Sequence, residues 1–297
     1  MISVVHLGRI DYPTGLKLQK TLVELRHDRR IGNLLLLLEH TPVITLGRNA
    51  NRANILASDE VLEREGVAVF ETDRGGDVTY HGPGQLVGYP IFDLRSFPGP
   101  DGEPRTIGAI AYVRRLEEAL IRVCADFGVA AGRIPKLTGV WIGPGAQLGD
   151  GSAPAAAPHL SAAARGENSE PAPPGSPAGA DYSPADDRKI AAIGVHISRG
   201  ITSHGFAFNV NTNLDHFRLI VPCGIATKPV TSLAKEIGSE TSLDAVAEAA
   251  ARNFGRVFES QILWVETLDA LLGRTVGVPL ALPRELRALH GDDIRRV

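Results

Sequence analysis

Residues 143–187 restrict the possible folds of this chain more than any other stretch. They are dominated by Pro, Ala, Gly and Ser, and Leu148, Leu160 and Tyr182 are their only large apolar side chains. Such a segment cannot bury enough apolar surface to offset its ordering entropy. The core must therefore come from the flanks. Strand-like sequence stands directly on both sides, at residues 140–142 and 189–197. This predicts a disordered insertion between two strands of one domain, not a linker between two domains. The chain has 297 residues, of which 43% are hydrophobic, so a sizeable core is still available.

The flanks mix strands and helices without regular alternation. Residues 3–7 read as a strand. Residues 14–30 carry Leu16, Leu18, Leu22, Val23 and Leu25 among charges, as an amphipathic helix does. Short strands follow at 33–38 and 43–46, separated by Glu39-His40-Thr41-Pro42. Ser58 caps a short helix at 60–65, which Gly66 closes. Then come a strand at 67–71, a polar glycine-rich loop at 73–84, a strand at 85–94 and a long helix at 107–127 ended by Gly128. Residues 189–197 and 205–210 read as an antiparallel pair about Ser198-Arg199-Gly200. Residues 241–258 are helical, capped by Ser242 or Thr241, and 268–297 are weakly helical and polar. Hairpin-like pairs without βαβ alternation predict an α+β fold with a mixed, largely antiparallel sheet packed with helices. The expected division is a catalytic domain over 1–240 carrying the 143–187 insertion, with a helical extension over 241–297.

Bulk properties exclude several function classes. A net charge of −3 and the lack of a basic block predict no nucleic-acid partner. The longest apolar run, Leu34 to Leu38, is too short for a bilayer and reads as a buried strand, so no membrane partner is expected. The N-terminus lacks a basic start followed by an apolar core, so it is not read as a secretory signal. Two cysteines argue against a disulfide framework and predict a reducing, cytoplasmic location.

Those two cysteines differ in context. Cys124 lies in an amphipathic helix and reads as a small apolar residue. Cys223 lies between Pro222 and Gly224, where the backbone turns sharply and can present a nucleophile. Lys189 opens a strand of small and apolar residues. It is either a solvated strand-end lysine or an ammonium that favours a Cys223 thiolate. His81, His196, His204 and His216 are alternative thiolate partners, with His196 and His216 reading as surface residues. No His or Cys pair has the short spacing of a zinc site, so no metal is expected. Asp77 and Asp215 suit acid–base work or a turn equally well. In the loop from Arg74 to Leu86, paired glycines let backbone approach a ligand. Arg74 suits a carboxylate or phosphate, and His81 suits a carbonyl oxygen.

Taken together, these pieces resemble the octanoyltransferases of lipoate biosynthesis. The resemblance rests on Arg74-Gly75-Gly76-Asp77-Val78-Thr79-Tyr80-His81-Gly82-Pro83-Gly84-Gln85-Leu86-Val87-Gly88-Tyr89-Pro90. It extends to residues 39–48, Thr138-Gly139-Val140-Trp141, residues 188–194, Ser203-His204-Gly205-Phe206-Ala207-Phe208-Asn209-Val210 and the stretch from Asn211 to Gly224. It covers roughly residues 1–235 apart from the insertion, which is longer than the turn expected there. It implies the fold of biotin and lipoate protein ligases and transfer of an octanoyl group from octanoyl-acyl carrier protein to a lipoyl-domain lysine. The implied acceptors are 2-oxoacid dehydrogenase complexes and the glycine cleavage H protein. It implies Cys223 as the acyl-accepting nucleophile and Lys189 as its partner. It also implies an acyl pocket lined by Arg74, Gly75, Gly76, Asp77, Val78, Thr79, Tyr80, His81, Ala192, Ile193, Gly194, Gly205, Phe206 and Ala207. Exchange between thioesters is nearly neutral in energy, so no ATP or other cofactor is expected. Backbone amides of Gly75-Gly76 or around Gly224 are the expected oxyanion donors, and Arg48, Arg52, Arg74 and Arg199 the expected contacts to acidic partners. The competing readings are an ATP-dependent lipoate or biotin ligase and a non-catalytic acyl or carrier-protein binding module.

Overall fold

The computed structural model describes residues 1–98, 104–147 and 186–268. In chain order, β1 (Ile2–Ile10) leads into α1 (Tyr12–His27), β2 (Asn33–His40) and β3 (Val43–Leu46). These are followed by α2 (Asp59–Arg64), β4 (Ala68–Glu71), β5 (Val78–His81), β6 (Gln85–Ile91) and the two-residue β7 (Phe97–Pro98) and β8 (Pro104–Arg105). The long α3 (Ala109–Asp126), β9 (Gly132–Ile134) and β10 (Leu137–Ile142) complete the part before the insertion. After it come β11 (Arg188–Ser198), β12 (Ile201–Asn209), α4 (Leu233–Ile237), α5 (Leu243–Val257) and β13 (Ile262–Trp264).

Among the described residues an eight-stranded sheet runs β13-β1-β2-β6-β12-β11-β10-β9. Pairing is parallel on both sides of β1 and antiparallel from β2 onward. The α+β expectation with a mostly antiparallel sheet therefore holds. The leucine run shows why β2 has no alternation. Leu35 and Leu37 join the core under α3 and α5, with Phe92, Tyr112 and Phe254. Leu34, Leu36 and Leu38 join Leu18, Leu22 and Leu25 of α1 on the other face. A strand covered on both faces carries apolar residues at every position. The α1 helix is started by Asp11, whose carboxylate accepts the Thr14 N–H at 2.8 Å.

Thr41-Pro42 carries the chain out of this sheet into a second one, ordered β4-β3-β5. The region 73–84 is thus not one continuous loop. Val78–His81 is a fully buried strand inside it. The flanking glycines hid that strand, and two of its four residues are polar because they face the site. The strand β12 also begins earlier than expected, at Ile201, and the three-residue strands β9 and β13 were too short to carry a periodic signal. The strands β10 and β11 pair directly, with Ile142 opposite Arg188. The segment between them therefore leaves and re-enters at one end of the same sheet. The disorder expected for most of that segment, and the helicity expected from 269 to the end, lie outside the described residues. The α5 helix packs its buried face, including Val246, Ala250 and Phe254, into the main core.

Candidate active site

Cys223 sits on a single turn, Pro222–Gly224, and both Cys223 and Gly224 take left-handed conformations, with φ of +55° and +68°. A non-glycine residue in that region is uncommon and needs surrounding support. The support comes from the turn at Asn51 to Asn54. Val221 N–H donates to the Asn54 carbonyl at 2.7 Å. A Cβ at Gly224 would fall 2.6 Å from Asp77 Oδ2, so only glycine fits there. The Asp77 carboxylate accepts from Asn51 N–H, Val78 N–H and the Asn54 amide. It is a bracket under the cysteine turn, and those hydrogen bonds take it out of acid–base work. Asp215 lies on the surface, paired with Arg218 at 3.3 Å.

Lys189 Nζ lies 3.3 Å from Cys223 Sγ. Strand alternation alone does not aim it there. Along β11, Ala192 faces the α1 side, so a regular pleat would turn Lys189 to the α3 side. The register shifts instead, because Val140 pairs with Ala191 whereas Trp141 pairs with Lys189. Two successive residues of β10 thus span three of β11. Ile190 and Ala191 both sink into the same core cluster as a result. This is a β-bulge, and it turns Lys189 back to the face of Ala192. The Lys189 backbone also holds the returning chain. Its N–H donates to Pro229 O and its carbonyl accepts Thr231 N–H, both at 2.9 Å.

From Cys223 a cavity of about 490 Å³, counted out to its open mouth, runs along the α1 face of the sheet. Its floor is made of small residues placed by register. Ala192 lies opposite Ala207, Gly194 opposite Gly205, and Val87 opposite Ala207 on the next strand. The Gly75-Gly76 segment forms the roof, and an added Cβ on Gly194 would meet Gly75 O at 2.6 Å. Arg74, Asp77, Thr79, His81, Ile193 and Phe206 also line it. Val78 and Tyr80 do not. By the period-2 rule they point to the other side of β5, into a cluster with Leu46, Phe217 and Ile220. Sequence reasoning missed Tyr12, Val87, Tyr89 and His204, which complete the lining. Val87 and Tyr89 were legible as alternate positions of β6, whereas Tyr12 arrives from α1 with no local signal. A smaller recess lined by Lys189, Gln85, Asn209 and Thr79 joins the same space at Cys223, Ala192 and Ala207.

Arg74 is not an open anion site. It is buried and donates to Thr45 O and Oγ1, Gly75 O and Asp77 O, tying the roof to β3. Arg48, Arg52 and Arg199 are exposed. Two of the expected oxyanion donors are also committed, because Gly75 N–H donates to Val195 O and Gly224 N–H to Val221 O. Each candidate histidine has a partner other than the sulfur. His81 bonds Gln85 Oε1, His204 bonds Asp73 at 2.8 Å, His196 lies 3.8 Å from Asp73 and His216 bonds the Tyr80 hydroxyl. Cys124 is fully buried, and burial pushes its thiol far up.

One buried imidazole, His81, lines the cavity, and another, His40, stands behind Tyr89 of its wall. Burial lowers His40 to about 4 and His81 to about 3. Both folded values are below the unfolded one, so the stabilisation is complete above about pH 6.5 and is lost as pH falls toward 4 and 3. At pH 5 the unfolded chain binds protons at both sites and the folded chain does not, which costs roughly 4 kcal/mol. Thermal unfolding at pH 7 and pH 5 checks this. His81→Gln with His40→Gln is expected to flatten that interval, and an unchanged slope would remove the assignment.

Comparison with known proteins joins this geometry to a family. Residues 11–255 match the model of the lipoyl protein ligase A/B catalytic domain. An octanoyltransferase from Koribacter versatilis is 49% identical, with 99% of each chain covered. One from Acidobacterium capsulatum is 53% identical over 92% of this chain and 96% of its own. This chain belongs to the octanoyltransferase family. Octanoyltransferase relatives at this identity span nearly the whole chain, the 143–187 region included. Among solved structures, the chain superposes on a bipartite lipoate protein ligase from Thermoplasma acidophilum with a TM-score of 0.60 and 16% identity, covering 93% and 91% of the two chains. A lipoate-protein ligase A bound with ATP gives 0.58 and 16%, with 93% of each covered. The shared fold is that of the lipoate ligases. Among the described residues no helix is long and apolar enough to cross a membrane.

Proposed function

We propose that this octanoyltransferase moves an octanoyl group from the thioester of octanoyl-acyl carrier protein to Cys223, and from Cys223 to a lysine of a lipoyl domain. The acceptors are the lipoyl domains of 2-oxoacid dehydrogenase complexes and the glycine cleavage H protein. The supporting observation is the Cys223–Lys189 contact of 3.3 Å at the mouth of a cavity floored by alanines and glycines. A neighbouring ammonium favours the thiolate, which is the nucleophile. Its attack on the donor carbonyl expels the carrier thiolate, which takes up a proton from the Lys189 ammonium. The two thioesters are close in energy, so no ATP is consumed. The substrate amine then attacks the Cys223 thioester and expels the Cys223 thiolate, and the amine's proton passes to Lys189, now neutral, directly or through water. With the Gly75 and Gly224 amides committed, the Gly76 amide on the cavity wall is the loop donor left for the tetrahedral oxyanion.

Mass spectrometry after mixing with octanoyl-acyl carrier protein tests the reading. The expected product is one octanoyl group on Cys223, formed without ATP. A strict ATP requirement with no adduct would move the chain to the ligase mechanism. The slot also predicts chain-length selection. Ala207 is buried on the cavity floor, and Ala207→Leu adds volume where the acyl chain lies. Overpacking of this kind costs about 1–3 kcal/mol. Adduct formation from the octanoyl donor is expected to drop by about tenfold or more, with a butyryl donor spared. Equal losses for both donors would place the acyl chain elsewhere.

A further inference from the structure

We infer that Trp141 is a positioning residue for Lys189: its ring face holds the resting ammonium against Cys223 Sγ. This rests on the Cys223–Lys189 reading above and goes beyond it. Lys189 Nζ lies 4.6 Å from the centre of the Trp141 ring. The two residues are direct cross-strand partners at the bulge that re-aims Lys189. The ring is only 1% exposed, so the contact is dry, where the attraction between a cation and an aromatic face is strongest. Trp141 Nε1 is buried and finds no hydrogen-bond partner among the described residues. An indole there carries a desolvation cost that phenylalanine would not, so the ring is not there for packing alone.

The other charged groups around Lys189 do not do this work. Lys228 Nζ lies 6.0 Å from the same ring and is paired with Asp187 at 2.7 Å. Glu117 of α3 accepts the Gly139 N–H beside the Lys189 stem, but it is paired with Arg114 and Arg133. Arg188 is bound to Glu236 of α4. On the far side of the sulfur, Arg74 is held by Thr45, and Asp77 by the Asn51–Asn54 turn. Among the charged and aromatic groups of the described residues around the ammonium, the indole face is left to offset its desolvation.

The test changes the ring's electrostatics and leaves its shape alone. The chain has two tryptophans. Trp264 is exposed at a sheet edge, so Trp264→Phe leaves Trp141 as the one site for mono-, di- and trifluorotryptophan. Iodoacetamide labelling of Cys223 is followed by mass spectrometry at pH 7 and at pH 10. Each added fluorine is expected to slow labelling at pH 7, by about threefold to tenfold across the series. At pH 10, above the ordinary range of free thiols, the rates should converge. Trp141→Leu should behave like the most fluorinated protein, and Trp141→Phe should recover part of the rate. A pH 7 rate independent of fluorination overturns the inference. Lys189→Ala separates the two claims. If it labels as fast as the parent at pH 7, the pairing of Cys223 with Lys189 fails. If it labels slowly and fluorination has no effect, the role of Trp141 alone fails.

Discussion

Cys223→Ala is expected to lower octanoyl transfer below about one part in a thousand of the parent and to abolish the acyl adduct. The reaction as proposed has no other route, because the acyl group must rest on this sulfur between two protein substrates. The fold should survive, since the side chain sits on an irregular turn held by Val221, Asn54 and Asp77. Alanine can keep the left-handed backbone at modest cost. The measurement is clean because Cys124 is fully buried with its thiol pushed up, so thiol reagents report on Cys223. Turnover by Cys223→Ala within tenfold of the parent would exclude the covalent route.

Lys189→Arg is expected to split the reaction into its two halves. An arginine keeps a cation near Cys223 but does not release a proton at any working pH. Acylation by the carrier thioester should therefore persist at a reduced rate, because the thiolate still has a positive neighbour. Aminolysis should fall about a hundredfold or more, because the incoming amine has lost its base. The acyl-enzyme should then accumulate, and intact-mass spectra over time would show the octanoyl adduct rising while the lipoyl domain stays unmodified. Lys189→Ala should impair both halves. Normal turnover by Lys189→Arg would show that the proton leaves by another path.

Much of the proposed site was legible in the sequence. Cys223 between proline and glycine, Lys189 at a strand start and the Arg74 to Pro90 string all pointed to one place. The runs Ala192-Ile193-Gly194 and Gly205-Phe206-Ala207 came from the family resemblance, and both line the cavity. The errors have a common cause. Arg74 was read as a carboxylate or phosphate ligand, but although it lines the cavity its guanidinium donates to carbonyls of β3 and the loop. Val78 and Tyr80 were grouped with the pocket because a motif is continuous along the chain, whereas a strand presents only every second side chain to one face. For Asp77 the sequence leaves acid–base work and a turn equally open, and its oxygens serve a turn twenty-odd residues away in sequence.

By itself, the sequence determined the fold class, through its hairpin-like pairs of strands, and its resemblance to the octanoyltransferases nominated Cys223, Lys189 and the glycine and alanine floor. Whether Lys189 reaches Cys223 was decided only by the tertiary structure. A regular pleat from Ala192 would have turned the lysine to the opposite face of the sheet. The extra residue in β11 at Ile190–Ala191, accommodated against Val140 and Trp141, rotates it back. A bulge is a property of two strands in register, and no single stretch of residues encodes it.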